Sequence, residues 1–250
     1  MLCHVALVHL FRREGQDAHA QAEASLTLAH EHGFAFWSAW GTSLQGWALV
    51  ERAALSGARE QGEAGLMQIR EGLAALRATG AEVWVPLLLG ALAQAYAQGG
   101  QAKAGLRVVA EALAVVEKNE ERWHEAELYR LAGELSLRIG EPESGRIGDV
   151  ENEAENRREG FSFADSPFRR FSVSSPEECF QKAIEIARRQ EAKSLELRAA
   201  TSLARLWQQQ GKHKEAHSML SEIYGWFTEG FETKDLQDAK ALLAELGEER

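Results

Sequence analysis

The chain has 250 residues, of which 45% are hydrophobic, and a formal net charge of -10 at pH 7. This negative charge disfavours nucleic acid and anionic lipid as partners, and no stretch approaches the ~18 apolar residues that a membrane-spanning helix needs. The two cysteines, Cys3 and Cys179, are too few for a disulfide framework and lack metal-ligand spacing, which favours a cytoplasmic location.

The first predicted helix covers residues 2–13. Its apolar run MLCHVALVHLF could belong to a signal peptide, but the arginines follow this run, whereas a signal peptide carries its basic residues first. The pattern instead predicts an amphipathic helix with Leu7, Val8 and Phe11 on its buried side.

Apolar residues recur at helical spacing along most of the remaining chain. Glycines such as Gly33, Gly80 and Gly211 mark the breaks, because glycine tolerates the left-handed conformation common at helix ends. The sequence therefore predicts an all-α protein. After the first helix, the predicted helices are 16–32, 35–54, 60–78, 82–98, 101–117, 121–139, 176–189, 191–210, 213–227 and 233–246.

A repeat of about 40 residues connects these helices. Small residues let the two helices of a hairpin approach, and bulky residues fill the groove between successive hairpins. We predict a tetratricopeptide-like α-solenoid of antiparallel helix hairpins, with about five repeats of ~40 residues and a capping helix at 233–246. The positions related by an offset of 40 are Gly65, Ile69 and Gly72 with Gly105, Val109 and Ala112, and Leu89 with Tyr129.

The repeat is interrupted once. Residues 145–175 are polar and have no sustained apolar period, and they exceed the ~15 residues expected of a compact loop. We predict N-terminal helical repeats in 1–144, a flexible insertion in the turn of one hairpin at 145–175, and C-terminal repeats with the capping helix in 176–250.

Several long strings carry a resemblance to a known family. They resemble the C-terminal tetratricopeptide region of large bacterial signalling proteins, in which a class III adenylate or guanylate cyclase domain precedes an ATPase of the AAA or STAND type. The resemblance implies a non-catalytic scaffold for protein interaction and regulation, as the tail or a detached fragment of such a protein. The strings are EHGFAFWSAWGTSLQGWAL at 31–49, GLAALRATGAEVWVP at 72–86, EAELYRLAGELSLRIGEPE at 125–143, ECFQKAIEIARRQEAKSLELRAATSLARLWQQQGK at 178–212 and EIYGWFTEGFETKDLQDAKALL at 222–243.

Signals for catalysis are weak. His213 and His217 lie four residues apart on one helix face, but the order H-E-x-x-H is absent, so we interpret them as exposed histidines. The sequence contains neither a phosphate loop of the form G-x-x-x-x-G-K-[ST] nor a G-x-S-x-G nucleophile motif. We expect no enzymatic activity, no cofactor and no metal site.

Function in such an array is expected on the concave wall, formed by the first helix of each hairpin. Arginines gather there, and their planar donors suit carboxylates, so we predict an acidic peptide or a cyclase or ATPase module, in the same chain or another, as the partner. Alternatively, these arginines pair with Glu127, Glu196 and neighbouring residues. The predicted groove residues are Gln94, Gln98, Arg130, Glu134, Arg138, Arg198, Arg205 and Gln209.

A second function remains open from the sequence. The chain also resembles arrays on ATPase-type transcription activators, which can accept a metabolite in the superhelical groove. A groove for a peptide and a groove for a small ligand both use Arg, Gln and Trp. The alternative to a protein-binding scaffold is therefore a small-ligand sensor.

Overall fold

The computed structural model describes residues 1–140 and 175–248 of the chain. Within these two ranges the chain forms eleven α-helices and no β-strand, so the all-α prediction is confirmed. The insertion predicted at 145–175 lies outside the described residues except for Ser175. The helices are α1 (Leu2–Phe11), α2 (Gly15–Glu31), α3 (Ala35–Ser56), α4 (Arg59–Ala78), α5 (Val85–Gln98), α6 (Ala102–Asn119), α7 (Glu125–Gly140), α8 (Pro176–Arg189), α9 (Lys193–Gln209), α10 (His213–Tyr224) and α11 (Lys234–Glu248).

The helix ends follow local signals in the sequence. Helix α3 stops at Gly57, whose φ of 70° is a left-handed conformation that glycine adopts with little strain. Helix α8 starts with a capping box, in which the Ser175 hydroxyl accepts from the Glu178 N–H at 3.2 Å and the Glu178 carboxylate accepts from the Ser175 N–H at 2.7 Å. The helix predicted at 213–227 ends earlier, at Tyr224.

The helices form two rows. Each odd-numbered helix contacts the next odd-numbered helix, from α1 to α11, and we call this set the inner row. Each even-numbered helix packs against the odd-numbered helices that precede and follow it, and these form the outer row. One face of every inner helix is therefore left uncovered by the outer row.

Apolar side chains between the rows form the core. Trp40 of α3 and Phe180 of α8 are the largest fully buried side chains, and burying a large apolar side chain of this kind stabilises the fold by about 1.5–3 kcal/mol. Cys3 and Cys179 are buried in the core as free thiols. None of the described helices combines the length and the apolar character needed to cross a lipid bilayer.

Helices α3 and α4 approach each other through glycines. A Cβ atom added to Gly46 would lie 2.6 Å from the carbonyl oxygen of Gly65, and one added to Gly65 would lie 2.6 Å from the carbonyl oxygen of Gly46. One helical turn away from this contact, an added Cβ on Gly62 would meet only the Ala53 side chain, at an ordinary 3.4 Å. The backbones of α3 and α4 thus touch where the glycines face each other.

We predict that Gly46→Ala destabilises the fold, although alanine favours a helix by about 1 kcal/mol over glycine. Overpacking against the Gly65 backbone should lower the free energy of unfolding by about 1–3 kcal/mol. The control Gly62→Ala should leave it unchanged or raise it by up to about 1 kcal/mol. Urea denaturation followed by circular dichroism measures the free energy of unfolding of both variants. An equal increase in the two variants would contradict the close backbone contact.

Candidate functional site

The two ends of the inner row meet. Arg13, just after α1, places Nη1 3.0 Å from Oδ2 of Asp238 and 3.7 Å from Oδ1 of Asp235, both on α11. Arg198 of α9 donates from Nη2 to the Phe11 carbonyl oxygen at 3.0 Å and to Oδ2 of Asp235 at 2.5 Å. We call these contacts among Arg13, Arg198, Asp235, Asp238 and the Phe11 carbonyl the seam. The seam closes the inner row on itself.

The closed inner row surrounds a central cavity of about 240 Å³. All six inner helices contribute side chains to its lining, from Leu10 on α1 to Asp238 on α11. Gln209 is exposed and does not belong to the lining. Seven of the eight predicted groove residues do line this cavity: Gln94, Gln98, Arg130, Glu134, Arg138, Arg198 and Arg205.

Arg130 is paired inside the protein and only 8% exposed. Its Nε and Nη2 donate to the two oxygens of Glu127 at 2.9 and 2.7 Å, and its Nη1 also contacts the carboxylate of Glu134. Burial alone would raise the pKa of Glu127, but Arg130 and Arg198 outweigh burial and lower this pKa to about 2. The same carboxylates raise the pKa of Arg130 above its usual value in spite of its burial.

Two further arginines of the cavity are also engaged. Arg198 pairs with Asp235, as described, and lies 3.6 Å from Oε1 of Glu127. Arg138 donates to the carbonyl oxygen of Ala97. The structure therefore pairs most of these arginines internally, and the described residues do not form the open row of free guanidinium groups that the sequence suggested.

The carboxylates that pair with the arginines are only partly those expected. Glu127 takes part, as the alternative interpretation of the sequence proposed. Glu196 instead accepts from Arg188 and Lys193, both at 2.7 Å, away from the cavity. Among the arginines that line the cavity, Arg205 alone has no hydrogen bond or ion pair with any residue in the described ranges.

A second concavity lies beside the first, and we call it the outer cleft. It measures about 360 Å³, and apolar side chains such as Val8, Trp123 and Leu195 supply much of its lining. Phe11, His124, Arg198 and Asp235 line both concavities and form the wall between them.

The prediction that Val8 and Phe11 lie on the buried side of the first helix was wrong. Val8 is 55% exposed and Phe11 is 36% exposed, whereas Leu7 is buried as predicted. Helix α1 stands at the end of the array and packs against α2 and α3 on one side only. Its other apolar face borders the two concavities instead of a core.

Several lining residues were not predicted from the sequence. Trp47 and Glu51 line the cavity from α3, and Asp235 and Asp238 line it from α11. The regular spacing of α3 offered a signal, because Glu51 follows Trp47 by one turn on the same helix face. No local signal connects α11 with α1, since the residues that meet there are more than 220 positions apart in the chain.

The described residues contain one cluster with metal-ligand atoms close together, formed by His9, Glu14 and Asp17. His213 and His217 of α10 do not belong to this cluster, and they are half-buried, whereas the sequence predicted exposed histidines. Glu14 already accepts from His9 Nδ1 and from Arg12 Nε, both at 2.7 Å, which satisfies its carboxylate without an ion.

Comparisons with known proteins give no family for this chain. No protein-family model matches it, and a search of curated proteins finds no significant match. The relation to cyclase and ATPase signalling proteins thus remains an expectation from the sequence.

The buried His124 predicts how stability depends on pH. Burial lowers its pKa to about 4, with Arg198 and Arg130 acting in the same direction and Glu127 opposing them. Since the unfolded histidine keeps a pKa near 6.5, the folded state is fully favoured above pH 6.5 and loses about 3 kcal/mol as the pH falls to 4. Glu127 adds a further loss only below about pH 4.5, where the unfolded carboxyl group takes up its proton first.

Replacing His124 by glutamine should remove most of this loss between pH 6.5 and 4, because glutamine does not take up a proton. His30 is exposed, so His30→Gln is the matched control. Its free energy of unfolding should depend on pH as that of the parent does. Urea denaturation at a series of pH values measures the effect. The same slope in His124→Gln and in the parent would show that another group causes it.

Proposed function

We propose that this chain is a non-catalytic, tetratricopeptide-like module that binds a small molecule in its central cavity. Closure at the seam is the observation that carries the proposal. It gathers the uncovered faces of the inner helices around a partly open cavity of about 240 Å³, somewhat below the ~300 Å³ at the lower end of small-molecule sites. A peptide groove, in contrast, has to stay open along its length.

The pairing of the arginines supports a small ligand over an acidic peptide. A peptide carboxylate that bound at Arg130 or Arg198 would have to displace Glu127, Glu134 or Asp235. Breaking a buried ion pair in this way leaves an uncompensated charge and costs about 3–5 kcal/mol. A small ligand can use the polar groups that remain available without disturbing these pairs.

The hydroxyl groups of the cavity support the absence of catalysis in this proposal. Thr201 donates to the Leu197 carbonyl at 2.8 Å, and Ser202 donates to Glu134 at 3.1 Å. A nucleophilic hydroxyl would instead need a base such as histidine within about 3 Å. In the described part of the chain, neither hydroxyl is hydrogen-bonded to His124.

A protein-binding scaffold is the second candidate function, and the outer cleft is the observation that favours it. Val8 and Trp123 are 55% and 41% exposed there, next to the apolar side chains of the cleft. An exposed apolar surface of this kind can serve as a protein contact. The role of a cyclase or ATPase tail, and the cytoplasmic location, rest on the sequence alone.

A blocked-cavity variant tests the proposed function. Gln98 is exposed at the cavity, and Gln98→Trp places an indole there without removing a hydrogen bond or ion pair seen in the described ranges. In a thermal-shift screen of small polar metabolites, a cavity ligand should raise the melting temperature of the parent and not that of Gln98→Trp. A ligand present at 100 times its Kd stabilises by about 2.7 kcal/mol, a shift that is readily measured.

Gln61→Trp is the matched control, because Gln61 is exposed on α4 in the outer row. It should respond to the ligand as the parent does. The proposed function is contradicted if ligands stabilise Gln98→Trp as strongly as the parent, or if only acidic peptides stabilise the protein.

A further inference from the structure

Two charged groups of the central cavity have no counter-ion. Glu51 of α3 is only 6% exposed, and its partner is an amide, Nε2 of Gln94, which donates to Oε1 at 2.5 Å. No lysine, arginine or histidine pairs with it in the described ranges. Arg205 of α9 is the other unpaired charge. Both groups belong to the lining of the same cavity.

The surroundings of Glu51 suit an ammonium group. A buried carboxylate without a cation is unfavourable, so a cationic ligand group would gain from its position. Trp47 lies one turn before Glu51 on α3, and Phe11 meets the Trp47 ring edge to face with a centroid distance of 6.3 Å. Aromatic rings beside a carboxylate bind organic ammonium groups through cation–π attraction. The indole Nε1 of Trp47 is also buried and has no hydrogen-bond partner in the described structure.

Arg205 supplies the complementary group. It lies one turn after Thr201 on α9 and is exposed to the cavity, with its guanidinium donors available. A guanidinium group binds a carboxylate through two parallel hydrogen bonds. Gln98 of α5, which is also exposed at this cavity, adds an amide.

The overall charge of the lining decides between ligand classes. Five arginines and five carboxylates line the cavity, so its net charge is zero when His124 is neutral, as its pKa of about 4 implies at pH 7. A ligand with net positive or negative charge would upset this balance. A ligand with one positive and one negative group preserves it and satisfies both unpaired side chains.

We propose that the central cavity binds small zwitterions of the amino-acid class, with the ammonium group at Glu51 and Trp47 and the carboxylate at Arg205. This inference rests on the proposed function of the cavity as a small-ligand site. It adds the class of ligand and the two residues that recognise it.

The probes for the test are the twenty free amino acids, measured by thermal shift and then by isothermal titration calorimetry. For each amino acid that binds, two derivatives follow: its amide, which lacks the carboxylate, and its N-acetyl form, which lacks the ammonium charge. Each derivative should bind at least tenfold more weakly than the parent amino acid, because one of the two charged contacts is lost.

Two variants test which side chain binds the ammonium group and which binds the carboxylate. Glu51→Gln should lower the affinity for the free amino acid at least tenfold and leave the affinity for the N-acetyl form nearly unchanged. Arg205→Ala should lower the affinity for the free amino acid at least tenfold and leave the affinity for the amide nearly unchanged. Arg107 is exposed on the outer-row helix α6, so Arg107→Ala is the matched control and should bind as the parent does. The melting temperature of each unliganded variant verifies that it is folded.

The outcomes separate this inference from the proposed function. If no amino acid binds, but another small molecule stabilises the parent and not Gln98→Trp, the zwitterion assignment is wrong and the cavity function stands. If amino acids bind but neither Glu51→Gln nor Arg205→Ala lowers their affinity, the assignment of Glu51 and Arg205 as recognition residues is wrong. If every ligand also stabilises Gln98→Trp, both proposals fail.

Discussion

The arrangement of the site depends on the seam, and within it on Arg198. This side chain bonds Asp235 of α11 and the Phe11 carbonyl of α1 at once, so one guanidinium group joins three helices of the inner row. The neighbouring pair of Arg13 with Asp238 is more exposed, and exposed pairs of this kind contribute only about 0–1 kcal/mol. Successive helices are otherwise joined through two clusters of buried apolar residues, one from α1 to α7 with Cys179 of α8 and the other from α8 to α11. Closure of the inner row therefore relies on a few polar contacts, whereas the packing of the two rows relies on buried apolar side chains.

The internal ion pairs determine what the cavity can recognise. Glu127 lies between Arg130 and Arg198, and these two cations hold its pKa at about 2. These three residues pair with one another and with Glu134 and Asp235, so the group is a structural element and offers little to a ligand. Recognition falls to the side chains outside it, which are Glu51 and Arg205. The arginine content of a concave wall is thus a poor measure of its affinity for anions.

Helix positions and inward faces could be predicted from the sequence because both depend on short-range periodicity. Counting from packed positions placed Gln94 and Arg205 on the cavity wall. The seam could not be predicted, because it joins residues that are 187 and 225 positions apart in the chain. Glu51 was missed for a related reason: only closure shows that the end of its helix face borders a cavity.

The shared wall between the cavity and the outer cleft links the two candidate functions physically. Phe11, His124, Arg198 and Asp235 line both spaces, so the seam residues Arg198 and Asp235 shape the cavity and the cleft together. A ligand that bridges Glu51 and Arg205 connects α3 with α9 across the ring and adds its binding free energy to the closed arrangement. Closure in turn fixes the shape of the apolar cleft on the other side of the wall. A small ligand and a protein partner that both favour the closed arrangement assist each other, because each stabilises the state that the other binds.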